Sequence, residues 1–374
     1  MTATPFDAAR AVVLEASRTV GERTIELSSP SQSGGWLTVD ACGMCGSDWS
    51  WYAHRPLEAP MILGHEIVGT VRALWGELAS RGDLEVGDRI VIEEAIPCLA
   101  CRLCRSGRHR LCPTSGRYGA TPLDCPPSLW GGFAEAVFLD RSATVHHVPK
   151  GLDAVTAALF VPVSNGLSWI GDAARLGAGE TTVVLGPGQH GLACVAAARR
   201  LGAGIVVAAG RSGDGARLRA ARELGADLVL DVELDDLKAA VLDLTSGVGA
   251  DVVVDTTPQD TSSLQAAIDI AAIGGRVIVA GGKAGRRSPV DTDAVFRREL
   301  TVRGVAARES SAIDAALAWL AAEPETFAPF GGLTIGLDQV EHALLALGGE
   351  SGAERPLHAV VVPDGEVQGG EQTS

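Results

Sequence analysis

Four cysteines lie close together in the chain with the spacing of a metal site. They are Cys98, Cys101, Cys104 and Cys112, in the pattern C-x2-C-x2-C-x7-C. Four thiolates can surround one zinc ion at about 2.3 Å in a tetrahedral shell, and such a closed shell is typical of structural zinc. The alternative is a set of unligated or disulfide-bonded cysteines, which a reducing compartment disfavours. The spacing therefore predicts a structural zinc site, which does not by itself indicate catalysis.

A second set of residues, upstream, has the types that a catalytic zinc site needs. Cys45, His65 and Glu66 would supply a thiolate, an imidazole and a carboxylate, leaving one position open for substrate. Ser47 could pass on the proton of a substrate hydroxyl, and Asp48 could orient the His65 ring as a hydrogen-bond acceptor. Taken singly these signals are weak, because a histidine beside glycine also fits a hydrogen-bonded turn and Cys42 also fits a packed thiol, so the prediction depends on their combination.

The same segment also allows a redox interpretation, because Cys42 and Cys45 form a C-x2-C pair. A redox pair is expected at a helix N-terminus in a thioredoxin-like unit, whereas the surrounding sequence here has the pattern of β-strands. We therefore favour metal binding.

A glycine motif near the middle of the chain predicts a dinucleotide site. Gly186-Pro187-Gly188-Gln189-His190-Gly191 follows the apolar run Thr181 to Leu185 and leads into an alanine-rich helical stretch. G-x-G-x-x-G between a strand and a helix allows a tight turn and close approach of the backbone to a pyrophosphate. Gly186, Gly188, Gln189, His190 and Gly191 are the predicted cofactor-binding residues of this loop.

The end of the next strand bears on the choice between NAD and NADP. An NAD site usually has an acid about 20 residues after the glycine motif, but this chain has Gly210, Arg211 and Ser212 there. An arginine suits a 2′-phosphate, which favours NADP. NAD stays open, because Arg211 could be a solvated loop residue and Asp214 could reach a ribose.

The order of predicted elements indicates how these residues are positioned. Residues 10 to 149 show short alternating or β-branched runs broken by glycine and proline, which predicts an all-β region. From about Leu152, apolar strands alternate with helical stretches, which predicts a parallel sheet covered on both faces. After about Val302 the sequence pattern typical of strands returns, with a last predicted strand at Ala359 to Pro363. The fold class predicted is α/β, with a doubly wound Rossmann sheet inserted in a β-rich catalytic domain.

Length, charge and hydropathy limit the class of protein. A chain of 374 residues suggests two domains, and a net charge of −15 opposes nucleic-acid binding. The longest apolar runs are far shorter than the roughly 20 residues of a membrane span. The first ten residues lack the pattern of a signal peptide, so a cytoplasmic location is expected.

Together, these motifs resemble the zinc-containing medium-chain dehydrogenase/reductase family over nearly the whole chain. The matching segments are Cys45-Gly46-Ser47-Asp48, Gly64-His65-Glu66, Val86-Gly87-Asp88-Arg89-Ile90, the four-cysteine segment, Gly131-Gly132-Phe133-Ala134-Glu135, the Gly186 to Gly191 loop and Val302-Arg303-Gly304. In these motifs the chain is most similar to sorbitol, threonine and related secondary-alcohol dehydrogenases.

The resemblance implies an NAD(P)-dependent alcohol dehydrogenase that works as a homodimer or homotetramer. It implies a GroES-like catalytic domain over 1–160, a Rossmann domain over 161–302 and a C-terminal part over 303–374 that returns to the catalytic domain. Cys45 and His65 would bind catalytic zinc, with Ser47 in the proton relay and Asp48 behind His65.

The chain departs from the family pattern at two positions. Val161 stands where relatives commonly have a third zinc ligand, so either Glu66 takes that place or the catalytic zinc is weak or absent. Ser50 stands where many relatives have a histidine that ends the proton relay, and His54 or water could replace it. The alternatives to a zinc enzyme are a zinc-independent reductase of the same superfamily and a non-catalytic NAD(P)-sensing protein.

Aromatic and apolar residues are frequent around the catalytic motifs. Trp49, Trp51, Tyr52, Leu57 and Trp130 would give an apolar pocket for a hydrophobic or secondary alcohol. The same residues are also typical of a core, and both interpretations stay open at this point.

Overall fold

The computed structural model describes residues 8–27, 33–54, 57–352 and 354–363. They divide into two compact units. Unit 1 contains the described residues up to Phe160, Leu320–Ala322 and those from Gly331 onward, and unit 2 contains Val161–Trp319 and Glu323–Phe330. The sequence predicted domain limits at 160/161 and 302/303, and these limits remain a prediction that is separate from the two compact units.

The first part of unit 1 is rich in short strands. Its strands are β1 (Ala8–Ala16), β2 (Thr19–Glu26), β3 (Gly34–Met44), β4 (Met61–Ile62), β5 (Glu66–Trp75), β6 (Arg89–Ile92), β7 (Ala95–Ile96), β8 (Gly116–Arg117), β9 (Ala136–Asp140) and β10 (Val145–His147). Its helices are α1 (Gly46–His54), α2 (Gly76–Ser80), α3 (Arg102–Arg105) and α4 (Ala154–Ala157), with a 3-10 turn at His109–Leu111.

Unit 2 alternates strands and helices. Its strands are β11 (Thr181–Leu185), β12 (Ile205–Gly210), β13 (Leu228–Asp231), β14 (Ala250–Asp255), β15 (Ala271–Val279) and β16 (Thr301–Gly304). The helices of this part of the chain are α5 (Phe160–Leu167), α6 (Gln189–Arg200), α7 (Gly215–Glu223), α8 (Leu237–Leu244), α9 (Ser263–Ile270), α10 (Thr292–Arg297) and α11 (Ser310–Ala322). A π-helical turn covers Ser168–Ala173, and 3-10 turns cover Ser212–Asp214 and Pro324–Phe330.

The chain then adds β17 (Gly332–Ile335), a 3-10 turn at Leu337–Gln339, α12 (Val340–Gly348) and β18 (His358–Val361) to unit 1. Strand β18 runs antiparallel to β3, with Ala359 opposite Met44 and Val361 opposite Cys42. The last strand therefore lies beside the end of β3, immediately before the Cys45 motif.

The large sheet of unit 1 surrounds an apolar core. Its strand order is β10-β6-β5-β3-β18-β17, with β9 also paired to β3. Trp36, Phe133 and Phe138 are buried within the core, and the Trp36 and Phe138 rings pack edge to face at 5.5 Å. Strand β3 thus forms the centre of the sheet and carries the chain to the Cys45 motif at one end.

The sheet of unit 2 confirms the prediction of a doubly wound fold. All its strand pairs are parallel, in the order β13-β12-β11-β14-β15-β16. Numbered from β11, this is the 3-2-1-4-5-6 order of dinucleotide-binding sheets. Continuous apolar runs such as Val252 to Val254 are wholly buried, because helices cover both faces of a parallel sheet.

The prediction that residues 10 to 149 are all β was wrong at α1. The Asp48 side chain accepts a hydrogen bond from the Cys45 N–H at 2.8 Å, which turns the chain into the helix. The β assignment rested on alternating and β-branched runs elsewhere in the region, and it overlooked this local hydrogen bond.

Among the described residues, none of the helices has both the length and the apolar character needed to cross a bilayer.

Candidate functional site

The four predicted structural-zinc ligands come together in the loop that contains α3. The Cys98, Cys101, Cys104 and Cys112 sulfurs all lie within 4.8 Å of one another. The Cys98–Cys104 sulfur distance is 3.9 Å and the Cys101–Cys112 distance is 3.8 Å. A regular tetrahedron with zinc–sulfur bonds of about 2.3 Å has sulfur–sulfur edges of about 3.8 Å, so this cluster fits a zinc ion.

Backbone N–H groups donate hydrogen bonds to two of these sulfurs, which favours the thiolate form that binds a metal cation. The Cys101 N–H donates to Cys98 Sγ and the Cys104 N–H to Cys101 Sγ, both at 3.4 Å. Amides of Ala100 and Cys101 lower the pKa of Cys98 to about 6, whereas burial and the neighbouring thiols raise the pKa of Cys104 to about 12. Zinc binding would deprotonate all four thiols.

A buried carboxylate ties this loop to the strand β10. Glu93 accepts from His109 Nε2 at 2.9 Å and from His146 Nε2 at 3.2 Å, and its side chain is only 5% exposed. His109 lies in the turn before Cys112, and His146 lies on β10. The sequence analysis missed this link, because no local pattern relates the three residues.

The Cys45 motif is organised around Asp48. The Asp48 carboxylate accepts from the Cys45 N–H at 2.8 Å and from the Gly64 N–H at 3.2 Å, and it lies 3.4 Å from His65 Nδ1. Its side chain is 1% exposed. Asp48 therefore links the two segments that carry the predicted catalytic residues.

His65 lies between Asp48, Ser47 and Cys45. Its Nε2 is 3.5 Å from Ser47 Oγ. Burial acts to lower the pKa of His65, but the Asp48 carboxylate and the Cys45 sulfur raise it well above its usual range. This imidazole is therefore surrounded by groups that favour a positive charge on it.

Glu66 is fully buried in unit 1. One of its carboxylate oxygens lies within 4.8 Å of Cys45 Sγ, and Oε2 lies 3.7 Å from Nε2 of His358 on β18. Within the described residues, the donor atoms of Cys45, His65 and Glu66 do not all come within 4.8 Å of one another. Instead, Glu66 and His65 each lie close to Cys45. A thiolate, an imidazole and a carboxylate are a suitable donor set for zinc.

Two sequence-based suggestions about the proton relay and the pocket were not supported. His54 ends α1 and packs edge to face on Trp49 at 5.6 Å, about 10 Å along the helix from Ser47 at a rise of about 1.5 Å per residue. Trp49 itself packs against the backbone of Gly348 and under the Arg18 guanidinium. His54 and Trp49 thus belong to a contact with α12, in keeping with the core interpretation.

The predicted third-ligand position is apolar in the structure as well. Val161 lies in α5 with 3% exposure, and its carbonyl accepts a hydrogen bond from Ser164 Oγ at 3.1 Å. A valine side chain has no donor atom for a metal.

The glycine loop fits a dinucleotide. Gly186 has a φ of +90°, and a Cβ on Gly191 would lie 2.0 Å from the Gly186 carbonyl oxygen, so both positions need glycine. A Cβ on Gly188 would meet no other part of the described chain within 4 Å. The backbone at Gly188, which caps α6, is therefore open to a pyrophosphate at the helix N-terminus.

The residues after β12 are held by acidic side chains. Arg211 donates from its guanidinium to Asp260 at 3.0 Å and from its backbone N–H to Asp214 at 3.0 Å. Ser212 donates from its hydroxyl to Asp231 at 2.6 Å and from its backbone N–H to Glu233 at 3.1 Å. Asp214, offered above as a ribose partner, is also paired with Arg217.

A partly buried lysine after β15, also missed in the sequence, supports the end of β14 beside the glycine loop. Lys283 donates to Asp255 at 2.9 Å, to the Thr257 carbonyl at 2.7 Å and to Ser263 at 3.0 Å. The adjacent Thr256 hydroxyl donates to the Gly186 carbonyl at 2.7 Å. Lys283 and Asp255 thus fix the strand end on which the loop rests.

Comparison with known proteins identifies two matching family models. The alcohol dehydrogenase GroES-like domain matches residues 36–150, and the zinc-binding dehydrogenase domain matches residues 191–322. The loop with the four cysteines lies in the first match, and the glycine loop adjoins and enters the second.

Individual relatives match over most of their length. A Mycobacterium tuberculosis protein described as a probable alcohol dehydrogenase is 36% identical, covering 95% of this chain and 98% of its own. A sorbitol dehydrogenase from Halalkalibacterium halodurans is 32% identical over 76% of this chain and 79% of its own. The crystal structure of a protein from Sinorhizobium meliloti 1021, classed as a zinc-binding dehydrogenase and bound to NADP, has a TM-score of 0.83, 26% identity and coverage of 96% and 100%.

Proposed function

This chain belongs to the zinc-containing medium-chain dehydrogenase/reductase family and is an oxidoreductase that acts on alcohols with NAD(P), so we propose that Cys45, His65 and Glu66 hold a catalytic zinc ion. The observation that carries this proposal is the position of Cys45, whose sulfur lies close to both the Glu66 carboxylate and the His65 ring. Glu66 fills the role that Val161 cannot. The four-cysteine loop holds a second, structural zinc ion.

The chain's own residues orient the metal ligands and move the proton. Asp48 fixes the backbone at Cys45 and Gly64 and orients the His65 ring through Nδ1, which leaves Nε2 as the ring nitrogen that would bind the metal. Ser47 would accept the proton of the substrate hydroxyl while giving up its own hydroxyl proton to water, so that the proton passes to solvent. When bound, zinc supplies polarisation of the alcohol oxygen and NAD(P) supplies the hydride acceptor.

We propose a hydrophobic or secondary alcohol as the substrate, with the corresponding carbonyl compound in the reverse direction. Sequence similarity to a sorbitol dehydrogenase supports a secondary alcohol. Trp49 packs against Gly348 and the Trp130 ring nitrogen donates to the Cys125 carbonyl at 2.8 Å, so the proposal of a hydrophobic substrate does not depend on these two rings.

We also propose a preference for NADP over NAD. It is supported by the glycine at the end of β12, by Arg211 directly after it and by the similarity to a structure bound to NADP. A reducing compartment such as the cytoplasm, which keeps thiols available to zinc, and assembly as a homodimer or homotetramer belong to the same proposal.

The zinc content of the purified protein tests the metal assignment. We expect about two zinc ions per chain in the parent, about one in Cys45→Ser, and about two in Cys125→Ser, because Cys125 is an exposed cysteine outside both sites. The parent should oxidise secondary alcohols with NADP or NAD, and Cys45→Ser should not.

One zinc ion per chain in both the parent and Cys45→Ser would contradict a catalytic zinc. Reduction of a quinone or an activated double bond by such a protein would then identify a zinc-independent reductase. Cofactor binding without turnover of any alcohol would identify a nucleotide-sensing protein.

A further inference from the structure

We propose that Asp260 is a specificity-determining residue that limits the preference for NADP by neutralising Arg211. The inference rests on the proposed function, because it concerns the cofactor that the enzyme uses. It connects Arg211, directly after β12, with Asp260, which follows β14. No local pattern in the sequence relates these two residues.

Arg211 is placed to meet the adenosine ribose of a bound cofactor. A Cβ on the preceding residue, Gly210, would lie 2.8 Å from the Pro187 ring, so the end of β12 lies against the glycine loop. In a dinucleotide-binding sheet, the 2′ position of that ribose reaches this strand end. The Arg211 side chain is 62% exposed and can approach a ligand there.

The Asp260 carboxylate is paired with the Arg211 guanidinium. The distance from the Arg211 terminal nitrogen to the Asp260 carboxylate is 3.0 Å. A 2′-phosphate must either displace this carboxylate or bind with a like charge beside it, and both costs are absent for the 2′-hydroxyl of NAD. Asp260 therefore reduces the advantage that Arg211 gives to NADP and leaves NAD binding nearly unaffected.

Asp260 is fixed in place independently of Arg211. Its other carboxylate oxygen accepts from the Ser262 N–H at 2.8 Å and from the Ser262 hydroxyl at 2.6 Å. Burial acts to raise the pKa of Asp260, but the Ser262 and Arg211 hydrogen bonds lower it below its usual value, so it is charged at neutral pH. Of the other acids near Arg211, Asp214 accepts from the Arg211 N–H and is paired with Arg217, and Asp231 and Glu233 accept from Ser212.

Asp260→Asn tests the assignment, because the amide oxygen can still accept from Ser262 while the charge is lost. We expect the Kd for NADPH to fall about three- to tenfold and the Kd for NADH to change less than about twofold. Both are measured by titrating NADPH or NADH into the zinc-loaded protein and following nucleotide fluorescence. Asp293→Asn is the matched control, because it removes an acid paired with another arginine, Arg297, on α10, and should change neither constant.

The double variant separates competition for Arg211 from simple repulsion. Arg211→Ala should weaken NADPH binding, and in that background the gain from Asp260→Asn should shrink to less than half. Equal changes for NADPH and NADH, no change for either, or an undiminished gain without Arg211 would each overturn the assignment. A parent protein that binds neither nucleotide would overturn the proposed function as well, whereas normal binding with an unaltered ratio in Asp260→Asn overturns this inference alone.

Discussion

Asp48 has the most demanding position of the residues in the proposed active site. It is buried, it accepts two backbone N–H groups and it lies beside the His65 ring. Only a carboxylate offers an acceptor in each of these directions without a competing donor. We therefore regard Asp48 as the residue that positions Cys45 and His65 for zinc.

Asp48→Asn should reduce occupancy of the catalytic zinc while leaving the structural zinc in place. The amide nitrogen would face an N–H donor, and loss of such a partner typically lowers metal affinity or activity about 10- to 100-fold. Zinc per chain, measured at limiting free zinc, should fall from about two to about one.

Ser50→Ala, on the same helix, serves as the control for the Asp48 variant. It should keep both ions and the parent melting temperature. If Asp48→Asn retained two zinc ions and the parent kcat/KM, Asp48 would have only a structural role.

At the scale of elements, the two predicted sites differ in what holds them. The glycine loop lies between β11 and α6 and depends on Gly186 and Gly191 for its shape. The four-cysteine loop contains little regular structure, so it depends on its own ligands and on Glu93. Loss of zinc should therefore disorder the four-cysteine loop more than loss of a nucleotide disorders the glycine loop.

The turn that begins β11 provides a pH-dependent contribution to stability. Glu180 accepts from the Gly177 N–H and pairs with Arg276 on β15, both at 2.7 Å. Burial acts to raise the pKa of Glu180, but Arg276 and the Gly177 amide lower it below its ordinary value of 4.5. A carboxylate whose pKa is lowered by folding stabilises the native state above 4.5, and this stabilisation is lost as the pH falls further.

Glu180→Gln should lower the free energy of unfolding by about 1 kcal/mol at pH 7. The difference from the parent should shrink below about pH 5, where the parent glutamate begins to be protonated in the unfolded chain. Urea denaturation at pH 7, 5 and 4 measures it. Glu223→Gln, at an exposed site on α7, should stay within about 0.5 kcal/mol of the parent throughout. A difference for Glu180→Gln that did not vary with pH would contradict this account.

At the scale of the whole molecule, metal and nucleotide are assigned to different units. All the proposed zinc ligands lie in unit 1, and the glycine loop with Arg211 lies in unit 2. Each unit has its own buried apolar cluster. A ligand stabilises the part of a protein that binds it, so the two should respond separately to chelator and cofactor.

Hydrogen exchange should resolve these responses. Chelation of zinc should accelerate exchange in peptides covering residues 95–117, and NADPH should slow exchange in peptides covering residues 186–214. Mass spectrometry of peptides from the same sample measures both, and β14 serves as an internal reference. Equal acceleration across both units on chelation would contradict the assignment of zinc to unit 1.

The sequence by itself determined the fold class, the four-cysteine loop and the glycine loop. These features are local: ligand spacing within one loop, and a strand, turn and helix in direct succession, depend on residues that are neighbours in the chain. The family resemblance was confirmed for the same reason, because its motifs are short contiguous segments.

Only the tertiary structure decided which distant residues support those motifs. Arg211 and Asp260 are 49 positions apart, and Lys283 and Asp255 are 28 apart, yet parallel strands bring their ends to one edge of the sheet. His358 reaches Glu66 through the pairing of β18 with β3. Register and strand order depend on long-range packing, which no local pattern in the chain records.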